Sequence, residues 1–89
     1  MNRDEVLKKI EKAIEMTDSY LAFTPKDKRL TLVRKELHGI HAIVKAQWPL
    51  PIEVKQKIWL GLYAVREFEN YLDDYAAFLE ELSYDLKHS

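Results

Sequence analysis

The side chains best suited to chemistry are His38 and His41, three residues apart and so able to approach one metal ion from one helical face. Metal sites inside helical bundles pair such histidines with carboxylates, as in Glu-x-x-His. Here the residue three before His38 is Lys35, which repels a cation. The expectation is therefore a flanking His38, a hydrogen-bonded His41 at the core edge, and no metal. Ser19, Ser83 and Ser89 lie in no nucleophile-elbow pattern, and only the terminal His88 falls near one of them. The two glycines, Gly39 and Gly61, both fall within helical patterns, so no glycine-rich loop cradles a phosphate. With no cysteine there is no thiolate nucleophile, zinc cluster or disulfide. Together these point to a protein that is not an enzyme and holds no cofactor.

The elements that carry these residues are helical. Two Gly and three Pro among 89 residues are too few for the turns of a small β-barrel or sandwich. The chain length allows one domain, residues 1–89, with one modest core. Asn2 and Glu5 have capping-box spacing, and Val6, Leu7, Ile10, Ala13, Ile14, Thr17, Tyr20 and Leu21 form one stripe of a first helix. A second helix is expected from Pro25, capped by Thr24, to about Gln47, where Pro49 ends it. Its stripe is Leu30, Val33, Leu37, Ile40, His41 and Val44. Gly39 costs stability there unless a neighbouring helix crosses closely, and Gly61 is its expected counterpart.

Pro51 starts a third helix with the stripe Val54, Ile58, Gly61, Leu62, Val65 and Phe68. Asn70 and Asp73 suggest a new cap, and Tyr71, Leu72, Tyr75, Phe78, Leu79, Leu82 and Leu86 continue a fourth helix to about Lys87. The alternative is one long bent helix from Pro51. Short loops between amphipathic helices favour antiparallel neighbours, so the fold class is all-α, a compact antiparallel bundle of four helices.

Charge is unevenly distributed along the chain. Fourteen Lys and Arg nearly balance fifteen Asp and Glu, which argues against a nucleic-acid partner. Residues 23–47 nevertheless carry a net +4, and residues 66–89 a net −5. The last helix is thus an acidic rod. Either it is solvated and pairs with the basic second helix, or it docks on a basic partner. Trp59 and Tyr63, four apart, either widen the buried stripe or form an aromatic ridge of the kind enriched at binding hot spots. The longest uncharged runs, 37–44 and 58–65, are far short of the roughly 20 apolar residues that span a membrane. No apolar leader opens the chain, so a cytoplasmic protein is expected.

The segment LGLYAVREFENYLDDYAAFLEELSY (60–84) resembles the small helical immunity proteins that protect bacteria from their own type VI secretion toxins, particularly those neutralising an NAD(P)+ glycohydrolase. Leu60, Gly61, Ala64, Val65, Arg66, Glu67 and Phe68 carry the resemblance, followed by an acidic connection into a helix with Leu79 and Tyr84. IEKAIEM and LHGIHAIV are similar in spacing, whereas the WPLP loop departs from the pattern. The resemblance implies a cognate toxin domain with a basic nucleotide-binding cleft as partner, blocked by occlusion. The alternatives for the toxin's activity are other nucleotide chemistries, such as that of a nucleotide pyrophosphokinase or an ADP-ribosyltransferase. The residues expected at the interface follow from their chemistry: Trp59, Tyr63, Glu67, Asp73, Asp74, Glu80 and Glu81. A homo-oligomer stays open, and the rival reading is a helical adaptor, such as a secretion chaperone, an antitoxin or a self-associating bundle.

Overall fold

A computed structural model describes all 89 residues. Its helices are α1 (Arg3–Phe23), α2 (Lys28–Ala46), α3 (Ile52–Gln56), α4 (Leu60–Glu67) and α5 (Asp73–Lys87), with no strand. The first helix starts as its sequence dictates. The Asn2 side chain accepts the Glu5 amide at 2.8 Å, and the Glu5 carboxylate accepts the Asn2 amide at 3.4 Å, so two amides that the helix cannot bond are satisfied. Val6, Ile10, Ala13 and Thr17 form its buried stripe. At about 1.5 Å per residue, this 21-residue helix sets the molecule's 34 Å long axis.

The second helix begins later than its Thr24–Pro25 signal suggests. Thr24 instead closes α1, its amide and hydroxyl both donating to the Tyr20 carbonyl at 3.0 Å. Pro25 sits in a turn, and Asp27 caps α2 by accepting the Arg29 and Leu30 amides. A carboxylate that reaches two free amides at the positive end of a helix outcompetes a hydroxyl one turn earlier. The far end falls at Ala46, as Pro49 requires.

The expected bundle of four helical arms forms, with the third arm bent. That arm is interrupted at Lys57–Trp59, which separates α3 from α4. The bend resets the helical phase. Ile58, Leu60, Ala64 and Phe68 are buried, whereas Leu62 and Val65, expected in the stripe, are 68% and 43% exposed. The break expected near Asn70 is present as the turn Phe68–Leu72, but Asn70 does not cap α5; Leu72 holds the cap position without a side-chain bond. Asp73 and Asp74 occupy the first turn, where the helix dipole favours anions.

α1 packs on α2, and α4 packs on α5, as two hairpins. The seam between them is α1 against α5. Eighteen hydrophobic side chains form one continuous core across both hairpins. The two glycines do not meet. A Cβ on Gly61 would lie 3.1 Å from Ser83 Oγ and 3.2 Å from its Cβ, so Gly61 permits the close α4–α5 contact. A Cβ on Gly39 would meet nothing within 4 Å. Gly61→Leu should therefore lower stability by about 1–3 kcal/mol through overpacking. Gly39→Ala should raise it by about 0.5–1 kcal/mol, because an exposed helical glycine contributes only backbone disorder to the unfolded chain. Thermal melts of the two variants moving in the same direction would contradict this assignment.

Candidate functional site

The aromatic pair of α4 belongs partly to the core. Trp59 and Tyr63 are half-buried, with ring centroids 5.0 Å apart at 73°. They therefore widen the buried layer and keep one edge in solvent. The aromatic contacts continue inward from Tyr63 to Phe68 (6.1 Å), Tyr75 (5.3 Å) and Tyr20 (5.2 Å). The Tyr75 hydroxyl lies 2.6 Å from Thr17 Oγ1, and Thr17 donates its one proton to the Ala13 carbonyl at 2.7 Å. Tyr75 is thus the donor to Thr17. Burial pushes the Tyr75 phenol up to about 12.

The expected acidic residues fall into two groups. Glu81 pairs with Lys9 at 2.7 Å, alongside Asp85 at 2.6 Å. Burial pulls the Lys9 ammonium down, but its bonds to Asp85 and Glu81 outweigh this and hold it above its ordinary value. Glu67 lies 3.8 Å from Arg29, which also donates to the Glu67 carbonyl and stands over the Phe68 and Tyr71 rings. These two carboxylates brace the bundle. Asp73 and Asp74 are exposed, Glu80 is half-buried beside Gly61, and none of the three has an ion-pair partner. The expected pairing of the acidic helix with basic α2 does not occur. Lys9 of α1 takes that place, because α1 is the helix that lies along α5.

On α2, Arg34 pairs with Asp18 at 2.5 Å, and His41 lies 2.9 Å from Glu11. No group of three His, Cys, Asp or Glu side chains is arranged to hold a metal ion. No buried side-chain polar atom lacks a partner.

One feature escapes the helical pattern altogether. An open groove of about 560 Å³ runs between α2 and the α3–α4 arm. Ile40, Ile43, Val54, Ile58 and Trp59 give it apolar walls, and Gly39 leaves a gap in the α2 wall. Lys35 and Lys57 stand on its rim with Glu36. Gly39 was its only trace in the sequence. Trp59 lines this groove and packs edge-on against Tyr63.

A surface with two charge signs, an aromatic anchor and no catalytic cluster is suited to holding another protein. The Tsi6 family model matches residues 5–88, and the chain belongs to this family of type VI secretion immunity proteins. Membership implies a type VI effector as cognate partner. Neither a curated protein nor a solved structure matches the chain. No helix is long and apolar enough to cross a membrane.

The Asp27 cap supplies a pH-dependent test of this scaffold. The Arg29 side-chain bond, helped by the Arg29 and Leu30 amides, holds the Asp27 carboxyl below its ordinary 3.8 despite some burial. A depressed folded value means that its charge contribution is fully present above pH 3.8 and is lost as pH falls through the folded value. Asp27→Asn keeps a capping oxygen and loses the charge. The melting-temperature gap between parent and variant should be constant near neutrality and close below about pH 4. A gap that widens in acid would contradict it.

Proposed function

We propose that this chain neutralises a cognate interbacterial toxin acting on NAD(P)+ or another nucleotide, and does so in the cytoplasm by occlusion, without catalysis. The supporting observation is that Asp73, Asp74 and Glu80 on α5 are unpaired while Trp59 and Tyr63 on the adjoining α4 arm are half-buried. Substrates that carry phosphates require an electropositive cleft, and a fixed acidic helix end is complementary to such a cleft. In this reading Trp59 and Tyr63 anchor the contact, while Asp73, Asp74 and Glu80 steer and hold the cleft. Glu67 and Glu81 contribute field from the rim while remaining tied to Arg29 and Lys9. The toxin's substrate then has no path to its site.

The test neutralises the free carboxylates and spares the paired ones. Asp73→Asn, Asp74→Asn and Glu80→Gln together should cost about 1–2 kcal/mol of stability, because two anions leave the first turn of α5. Helical content should be retained. Association with the cognate toxin domain should slow roughly tenfold and lose much of its salt dependence. Co-expression survival should fall in step. Parental association kinetics and full protection by the triple variant would overturn the proposal.

A further inference from the structure

The groove has features that the fold itself does not require. Gly39 lies exposed in the middle of a 19-residue helix, where alanine would be the more favourable residue. No neighbour within 4 Å forbids a side chain there. The gap therefore serves nothing inside the chain, and its effect is to expose the α2 backbone along an apolar channel. Leu32, 46% exposed, extends that channel at the surface.

The rim charge has the same character. The chain's ion pairs occupy only Lys9, Arg29 and Arg34 among its lysines and arginines. Lys35 and Lys57 have no carboxylate partner, and Glu36 is the only anion on the groove wall. The channel thus carries excess positive charge beside an acidic helix. A basic cleft suits α5 and would be repelled here.

We propose that the groove between α2 and the α3–α4 arm receives an apolar segment of the toxin flanked by carboxylates, its backbone passing over Gly39 and its acids meeting Lys35 and Lys57. This rests on the immunity reading above and adds to it a second contact of opposite sign. Two contacts of opposite charge fix the orientation of a partner, since turning it end for end places like charges together. The volume of about 560 Å³ lies within the range of about 300–1,000 Å³ that accommodates compact apolar groups.

The chain has no cysteine, so Gly39→Cys introduces a single thiol into the groove. Its alkylation by iodoacetamide is measured by mass spectrometry, free and with the cognate toxin domain, with Lys12→Cys on the exposed face of α1 as control. Saturating toxin should slow alkylation at position 39 at least about tenfold, as for a site desolvated at an interface centre, and leave position 12 unchanged. Gly39→Leu should melt at or above the parental temperature and bind at least about tenfold more weakly. The double variant Lys35→Glu/Lys57→Glu should weaken binding in the same direction.

A complex that forms while position 39 alkylates at its free rate overturns the groove contact and leaves the immunity reading standing. So does parental affinity in Gly39→Leu. Absence of any complex with the parent overturns both. Protection of position 39 that grows with protein concentration, without toxin, overturns the proposal in favour of a second copy of the chain in the groove.

Discussion

The arrangement of this protein depends on the seam between α1 and α5, and within it on Tyr75. The ring is fully buried, flanked by Phe68 and Tyr20, and its hydroxyl finds an acceptor only at Thr17. Burial of a tyrosine hydroxyl without a partner would cost about 1–3 kcal/mol, so the ring fits only where Thr17 is opposite. That pairing fixes the register of the α4–α5 hairpin against α1. Lys9, two turns closer to the N-terminus, repeats the constraint by joining Glu81 and Asp85. Two polar contacts along one seam leave little freedom to slide.

Because the hairpins meet through α1 and α5, α2 and the third arm are not pressed together along their length. The groove is the space left between them. Arg29 ties the start of α2 to the end of α4, bound to Asp27 and Glu67 and lying over Phe68 and Tyr71. The same geometry leaves Asp73, Asp74 and Glu80 without cations, since the helix that lies along α5 is α1, whose five acidic residues outnumber its four basic ones and whose Lys9 is already engaged. Open groove and free carboxylates thus share one origin. Both are consequences of which helices touch.

Local signals in the sequence were reliable wherever one residue decided the outcome. The Asn2–Glu5 box, the stop before Pro49 and the break around Asn70 are all present. Competing signals were harder. Thr24 and Asp27 lie one turn apart, and the carboxylate that reaches two amides prevailed. The interruption at Lys57–Trp59 carries no proline or glycine, so only tertiary packing sets it, and the stripe through Leu62 and Val65 lost its phase there. Charge partners were the least legible. Lys9 and Asp85 are 76 residues apart, and only the topology brings them together. Gly39 announced a cost without saying which side of the helix would explain it.

In the proposed complex the groove, Trp59 and the free carboxylates of α5 meet the partner, while the outer face of α1 is only solvated. Amide hydrogen exchange of the whole chain, free and bound to the cognate toxin domain, decides this. Added protection is expected over residues 35–43, 54–63 and 73–80, with the α1 amides at their free rates. Protection concentrated on α1, with those three segments unchanged, would contradict it.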